Sequence, residues 1–265
     1  MNLNMPVVLG ADYVNPTQKA RVITETWMSQ EGYCPGCLSN LTRTTANSKA
    51  VDFTCSCCGM PFQLKSTKSK IGPRVPDGAY DAMVSAVKSD TSPALVLMRY
   101  DLIQWMVRDL IVIPSFALTE HAIIPRKPLS ATARRAGWVG CNIDLSRIAP
   151  DTRVRIVEQG VVRSRQQVAN HYSRLKPLQS IQVSQRGWAL AVLSGIQASG
   201  WRGFTTRDAY QLEVELMRMF PLNKNVRAKI RQQLQVLRDL GVLIHSNRGQ
   251  WALSDSGSSS ANPKN

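Results

Sequence analysis

The sequence predicts a mixed α/β domain followed by a small α+β winged-helix domain, and three patterns in its 265 residues carry this prediction. Short β-type apolar runs alternate with turn-rich and helix-like stretches over most of the first domain. Two pairs of cysteines, each with only two residues between its members, interrupt that region. From about residue 184, three helical segments and a hairpin follow in the order typical of a winged helix. We therefore expect domains at 1–180 and 181–254 and a disordered tail at 255–265.

The first domain is predicted to begin with a helix. Asn15 is a good N-cap, and Pro16 suits the first helical position, so the helix should run from there to about Trp27. Short apolar and β-branched runs then predict strands at 51–54, 62–65, 95–100 and 110–113. Strands separated by turn-rich and helix-like segments indicate a mixed sheet.

The second domain is predicted from three helical segments that lead into a hairpin. The first spans 188–198, and the Thr-Thr pair at 205–206 caps the second, which Pro221 ends. The third has apolar residues at helical spacing: Val226, Ile230, Leu234 and Leu237. Strands at 242–245 and 250–253 form the wing, and the Ser-rich tail is predicted to be disordered.

The charge balance favours a polyanionic partner, nucleic acid first and an acidic membrane surface second. The chain has 33 Lys and Arg against 18 Asp and Glu, a net charge of +15 and a pI near 10.0. No apolar run approaches the roughly 20 residues of a membrane span, so we expect no membrane partner. The N-terminus lacks the pattern of a secretory signal, which predicts a cytoplasmic protein.

The cysteine spacing predicts a metal site. Cys34 and Cys37 form one CxxC pair and Cys55 and Cys58 form another, with 17 residues between the pairs. This spacing is typical of a four-thiolate Zn²⁺ site, which leaves no coordination position for water and is therefore structural. The alternatives are buried thiols without metal, or Cys57 in place of Cys58, although Cys57 breaks the two-residue spacing.

A polar triple, Asp52, Gln63 and Lys65, brackets the second cysteine pair. Alternation along a strand turns Gln63 and Lys65 to the same face, and a hairpin would bring Asp52 beside them. Asp52, the Gln63 amide oxygen and the Leu64 carbonyl can then hold Mg²⁺, while Lys65 orients water or neutralises phosphate charge. These are the requirements of metal-dependent phosphodiester hydrolysis. Such triples are common by chance, so a solvated polar face is the alternative.

Longer stretches, in order along nearly the whole chain, carry a family resemblance. They are TQKARVITETW (17–27), YCPGC (33–37), DFTCSCC (52–58), FQLKS (62–66), DGAY (77–80), RKPLSATARRAGWVGCNIDLS (126–146), RGW (186–188) and IRQQLQVLRD (230–239). Together they make the chain similar to the DpnI family of methyl-directed restriction endonucleases, whose nuclease domain belongs to the PD-(D/E)xK superfamily.

The resemblance implies an enzyme that uses Mg²⁺ to cut duplex G-A-T-C whose adenine carries an N6-methyl group. It implies that Asp52 and Lys65 are the catalytic Asp and Lys, and that a zinc knuckle lies inside the catalytic domain. The family has Glu where this chain has Gln63, so the site would have one fewer anionic metal ligand. We expect a monomeric bacterial protein that associates with the nucleoid.

Basic residues after residue 125 are predicted to contact DNA. Arg126, Lys127, Arg134 and Arg135 have no acidic residue between them, which favours phosphate contacts. Trp138 can supply the apolar surface that distinguishes a methylated adenine from a plain one. The alternative for Trp138 is a position in the core.

The third helix of the second domain has one cationic face, formed by Arg227, Arg231, Gln235 and Arg238. Such a face enters the major groove in a winged helix, where Arg can bond guanine and Gln can bond adenine. Arg248 in the wing turn is a further predicted DNA contact. A solvated charged face is the alternative.

Two functions from different classes follow from these patterns. The first is a Mg²⁺-dependent, methyl-dependent endonuclease. The second is a zinc-stabilised winged-helix protein that binds methylated DNA without cutting it, with Gln63 marking a degenerate active site. Asp52 and Lys65 in register favour the nuclease, because a protein that only binds has no chemical need for that pair.

Overall fold

The structure is a computed structural model that describes residues 1–44, 50–247 and 249–254. The strands among these residues are β1 (Leu41–Arg43), β2 (Phe53–Cys55), β3 (Pro61–Thr67), β4 (Arg74–Ala79), β5 (Ala94–Asp101), β6 (Met106–Ile113), β7 (Ile123–Pro125), β8 (Gly140–Asp144), β9 (Val154–Glu158), β10 (Val161–Val162), β11 (Gly203–Thr205), β12 (Leu243–Asn247) and β13 (Gln250–Leu253). The α-helices are α1 (Pro16–Glu31), α2 (Tyr80–Lys88), α3 (Arg165–Gln179), α4 (Val183–Ala198), α5 (Thr206–Ala209), α6 (Glu213–Met219) and α7 (Val226–Asp239). None of the helices in the described ranges has the length and hydropathy that a membrane span requires.

A seven-stranded sheet organises the first part of the chain. Its order is β1-β2-β3-β5-β6-β9-β10, and its neighbours are antiparallel except for the pair β3 and β5. A parallel pair needs a crossover connection, which here contains β4 and α2. The central strand β5 is buried from Ala94 to Met98, so both of its faces are covered.

A second sheet, β4-β8-β7, lies in the same part of the chain. Asp77 in β4 is opposite Cys141 in β8. The loop that joins β7 to β8 spans residues 126–139 and carries the basic segment selected from the sequence. This sheet therefore places Asp77 beside the ends of β7 and β8 from which the basic loop extends.

The elements predicted for the first domain are present. α1 begins at Pro16, and the side chain of Asn15 accepts hydrogen bonds from the backbone of Thr17 and Gln18. The helix continues past Trp27 because no helix breaker occurs before its C-cap glycine. The four predicted strands correspond to β2, β3, β5 and β6.

Helix α3 was not predicted from the sequence. Ser164 and Gln167 form a capping box, in which each side chain accepts a hydrogen bond from the backbone N–H of the other residue. Pro177 lies within the last turn of α3 and obscures the helical pattern. The helix is anchored by Tyr172, whose buried ring meets Phe116 edge-on at 6.4 Å between centroids.

The C-terminal unit, α4 to β13, has the predicted three-helix and wing order, which confirms the fold class. α4 starts earlier than expected, and a 3₁₀ turn at Tyr210–Leu212 divides the second helical segment into α5 and α6. The short strand β11 was not expected, and it joins the hairpin in a β11-β13-β12 sheet. Arg248 and the predicted tail at 255–265 lie outside the described residues.

Arg186 of α4 ties the C-terminal unit to the first domain. Its buried guanidinium donates to Asp90 through Nη1 at 2.7 Å and through Nη2 at 3.2 Å. Nη2 also donates to the carbonyl oxygens of Gln179 and Ile181, each at 3.0 Å. A bidentate pair of this kind fixes orientation as well as distance, so it sets how α4 sits on the first domain.

Replacing Arg186 by alanine should destabilise the protein by about 3 kcal/mol, because the carbonyl oxygens of Gln179 and Ile181 and the carboxylate of Asp90 lose the buried donor that they share. Denaturant unfolding of the full chain measures this change. Arg218→Ala is the matched control, since Arg218 is exposed on α6, and its effect should stay within about 0.5 kcal/mol. Equal stabilities of the two variants would contradict the prediction.

An aromatic cluster closes the same interface. Phe220 stacks on Trp188 with centroids 3.8 Å apart, and the ring of His121 meets Phe220 at 4.0 Å. Burial lowers the pKa of His121 below its ordinary value of 6.5; Glu120 acts against this shift and Arg147 adds to it. His121 is therefore packed as a neutral ring at neutral pH.

This interface should weaken on acidification. The unfolded chain takes up a proton at His121 before the folded chain does, so stability falls as the pH drops below 6.5. The unfolding free energy of wild type should therefore decrease more between neutral and mildly acidic pH than that of His121→Gln. Parallel pH profiles for wild type and His121→Gln would refute the prediction.

Candidate active site and metal centre

Four cysteine thiols meet beside the β1 edge of the large sheet. Cys34 and Cys37 follow α1, Cys55 ends β2, and Cys58 lies in the turn to β3. Their sulfur atoms all lie within 4.8 Å of one another. The separations are 3.7 Å for Cys34 and Cys58, 3.3 Å for Cys37 and Cys55, and 3.9 Å for Cys37 and Cys58. A tetrahedral zinc with Zn–S bonds of about 2.3 Å places its sulfur atoms about 3.8 Å apart, so the cluster fits this ion.

The protonation of these thiols is uneven. Burial raises the pKa of Cys34 well above its ordinary range. Burial also acts to raise the pKa of Cys37, but hydrogen bonds from Ser39 and the neighbouring thiols outweigh it and lower the pKa to about 6. Zinc requires thiolates, so Cys34 would lose its proton only with the metal present. Cys57 is exposed and lies outside the cluster, which identifies Cys58 as the fourth member.

The predicted polar triple is gathered in one cavity. β2 and β3 pair as the expected antiparallel hairpin, which brings Asp52 alongside β3. Oδ2 of Asp52 accepts the backbone N–H of Leu64 at 2.8 Å. Asp52, Gln63, Leu64 and Lys65 line a cavity of about 200 Å³. The structure therefore places the side chains of Asp52, Gln63 and Lys65 around one cavity.

Asp77 contacts two residues of the polar triple, Gln63 and Lys65, and was not predicted from the sequence as a site residue. Its Oδ1 accepts hydrogen bonds from Nζ of Lys65 at 2.7 Å and from Nε2 of Gln63 at 3.2 Å. The Asp77 side chain is 5% exposed and does not line the cavity. Asp77 lies in the DGAY stretch, which contributed to the family resemblance but gave no indication of a role for Asp77.

α1 supplies another wall of the cavity through Arg21, Thr24 and Glu25. The buried carboxylate of Glu25 is paired with Arg21 at 2.6 Å and with Arg43. Thr24 Oγ1 lies 3.2 Å from the hydroxyl of Ser66, which links α1 to β3. The two guanidinium groups neutralise Glu25, so it shapes the wall of the cavity rather than offering a free carboxylate. Sequence spacing gave no signal for Glu25.

The basic loop between β7 and β8 is exposed at Arg126, Lys127, Arg134 and Arg135. Trp138 is half-buried, and the guanidinium of Arg135 lies 5.1 Å from the centre of its ring. The indole covers the backbone of β8 so closely that a Cβ at position 140 would lie 2.8 Å from the ring. Trp138 is not among the residues that line the Asp52 cavity.

The cationic face of α7 is present as predicted, with Arg227, Arg231, Gln235 and Arg238 all exposed. The opposite face of α7 buries its apolar stripe, Val226, Ile230, Leu234 and Leu237, inside the C-terminal unit. Two of the arginines have partners on the preceding segment. Arg227 pairs with Glu213 at 2.8 Å, and Arg231 donates to the hydroxyl of Tyr210 at 3.1 Å.

Comparison with known protein families matches both parts of the chain. The profile of the DpnI, Dam-replacing family covers residues 1–181. The profile of its C-terminal Dam-replacing HTH domain covers residues 184–252. The chain belongs to the DpnI family. Membership supports a DNA-binding, methyl-dependent restriction endonuclease, and the HTH match agrees with the winged-helix order of α4 to β13.

For a DpnI-family member, the cavity has ligands suited to a hard divalent cation. One oxygen of Asp52 accepts the backbone N–H of Leu64, no side chain or backbone group of the described residues donates to its other oxygen, and Gln63 lines the same cavity. Mg²⁺ is commonly held by one or two carboxylates together with waters and substrate phosphates. The residues present therefore fit such a cation.

Proposed function

We propose that this DpnI-family protein hydrolyses duplex DNA at G-A-T-C sites that carry N6-methyladenine, with Mg²⁺ as catalytic cofactor and Zn²⁺ as structural ion. The observation that carries the proposal is the convergence of Asp52, Gln63 and Lys65 in one cavity beside the cysteine cluster. The net charge of +15 suits a DNA partner. We propose that the protein acts as a monomer in the bacterial cytoplasm, with its domains at 1–180 and 181–254.

In the proposed mechanism, Asp52, the Gln63 amide oxygen and the Leu64 carbonyl would hold Mg²⁺. When bound there, the ion would supply Lewis-acid activation of the phosphate and would lower the pKa of water. Lys65 places its ammonium against a phosphate oxygen or orients the attacking water. Water adds to phosphorus, one bond from phosphorus to a sugar oxygen breaks, and the departing oxygen takes up a proton.

We propose that DNA is held by two surfaces. The first surface is the loop between β7 and β8 in the first domain, where phosphates are contacted by Arg126, Lys127, Arg134 and Arg135. The exposed face of α7, with Arg227, Arg231, Gln235 and Arg238, enters the major groove. The ion pair of Arg227 with Glu213 and the bond of Arg231 to Tyr210 would be exchanged for DNA contacts on binding.

The test uses two plasmids of identical sequence, one with methylated and one with unmethylated G-A-T-C. Purified protein should cut only the methylated plasmid, with Mg²⁺ present and not with a chelator. Methyl-dependent binding without cleavage at any concentration of Mg²⁺ or Mn²⁺ would favour the alternative, a winged-helix protein that binds methylated DNA. Equal cleavage of both plasmids would refute methyl dependence.

Trp138→Ala should lower the preference for the methylated duplex by about fourfold, the equivalent of roughly 0.8 kcal/mol for one buried methyl group. The reason is that contact between the Trp138 ring and the methyl group would stabilise only the complex with the methylated duplex, whereas phosphate contacts stabilise both complexes. Arg134→Ala is the matched variant, which should weaken binding of both duplexes equally. Cleavage rates on both duplexes measure the ratio. An unchanged ratio in a folded Trp138→Ala protein would assign the indole to packing on β8.

A further inference from the structure

We propose that Asp77 is a positioning residue that turns the Gln63 amide so that its oxygen faces the metal cavity. This inference rests on the proposed function and adds a residue from a different sheet to that site. Gln63 is on β3 of the large sheet, whereas Asp77 is on β4 of the three-stranded sheet.

The hydrogen-bond inventory of Asp77 determines which atom of Gln63 faces it. A carboxylate only accepts hydrogen bonds, and the Oδ1 atom of Asp77 already receives Nζ of Lys65 at 2.7 Å and the backbone N–H of Gly78 at 2.8 Å. The Gln63 atom 3.2 Å away must therefore be the amide nitrogen, because two oxygens would repel each other there. The amide oxygen is then the atom of Gln63 left for the cavity.

The position of Asp77 suits this role. Its side chain is almost fully buried and lies outside the cavity lining, so it acts from behind Gln63 rather than on the DNA. The β4 and β8 pairing has a register shift between Asp77 and Ala79, and such irregularities redirect side chains. Opposite Asp77 is Cys141, whose burial raises its pKa to about 11, so this neighbour of Asp77 is a neutral thiol at neutral pH.

A neutral amide gains most from such an arrangement. A glutamate at position 63 would present an oxygen to a cation in either orientation of its carboxylate, but a glutamine presents one only when its nitrogen points away. Partners that orient a metal ligand commonly change metal affinity by 10–100-fold when they are removed. Asp77 thus allows Gln63 to act where the family pattern has an acid.

The experiment is a double-mutant cycle on the full-length protein. Mn²⁺ binding is measured by calorimetry for wild type, Asp77→Asn, Gln63→Met and the double variant. We expect Asp77→Asn to weaken Mn²⁺ binding by about 10-fold in the wild-type background. In the Gln63→Met background, where no amide remains to be oriented, Asp77→Asn should change the affinity little.

The cycle separates orientation from charge. If Asp77 acted only through its negative charge, Asp77→Asn would weaken Mn²⁺ binding equally in both backgrounds, and that result would overturn the inference. Wild-type affinity in a folded Asp77→Asn protein would overturn it too. Asp81→Asn, an exposed acid at the start of α2, is the control for long-range charge, and thermal unfolding without metal verifies that each variant is folded.

The same measurements distinguish this inference from the proposed function. If wild type binds Mn²⁺ and cuts methylated DNA while the cycle shows no coupling, only the role of Asp77 fails. If wild type binds no Mn²⁺ and cuts no DNA, the metal-dependent nuclease proposal fails and the role of Asp77 fails with it.

Discussion

Lys65→Met is expected to reduce cleavage of methylated duplex DNA by on the order of 10³-fold, because the site loses the ammonium group proposed to neutralise charge on the phosphate or to orient the attacking water. Binding of the methylated duplex should remain close to wild type, since one phosphate contact among many is removed. Single-turnover cleavage and a binding titration in chelator measure the two quantities separately. The methionine side chain is unbranched and only one atom shorter than that of lysine, so it replaces most of the aliphatic part of Lys65 without the charge.

Asp52→Asn should have a comparable effect on cleavage for a different reason. An asparagine oxygen can still accept the N–H of Leu64, but the anionic oxygen proposed to hold Mg²⁺ is lost. Asp81→Asn is again a suitable control, because it removes an exposed carboxylate outside the cavity. If either Lys65→Met or Asp52→Asn cuts methylated DNA at near the wild-type rate, the catalytic assignment is wrong.

Cys34→Ser is expected to have the largest effect on folding. The four thiols converge from two separate turns, and binding of a structural zinc commonly contributes on the order of 10 kcal/mol to folding. The variant should lose its zinc, unfold at a much lower temperature and be recovered mainly as insoluble protein. Metal analysis of wild type should find one zinc, and thermal unfolding measures the loss of stability.

Cys57→Ser provides the matched control for this prediction. Cys57 is the immediate neighbour of Cys58, yet it is exposed and lies outside the cluster. Its replacement should leave the zinc content and the unfolding temperature unchanged. A folded, active Cys34→Ser protein, or a loss of zinc from Cys57→Ser, would refute the assignment of the four ligands.

Local patterns were sufficient wherever the physical cause lies within a few residues. The N-cap of α1 at Asn15, the apolar stripe of α7 and the CxxC spacing each report a short-range constraint, and each is present in the structure. The hairpin around Asp52 and Gln63 was also predictable, because alternation along two adjacent strands determines which side chains can meet. α3 could have been found from its capping box, but Pro177 obscured the signal.

Contacts between distant elements were decided only by the tertiary structure. Asp77 reaches Lys65 and Gln63 because β4 lies outside the large sheet and pairs with β8. No periodicity in the sequence specifies that pairing. Glu25 is buried against two arginines, one of which comes from β1. The docking of the C-terminal unit through Arg186 is of the same kind. The sequence by itself determined the local elements and the ligand spacing, whereas the surroundings of each charged group depended on which elements the complete fold brought together.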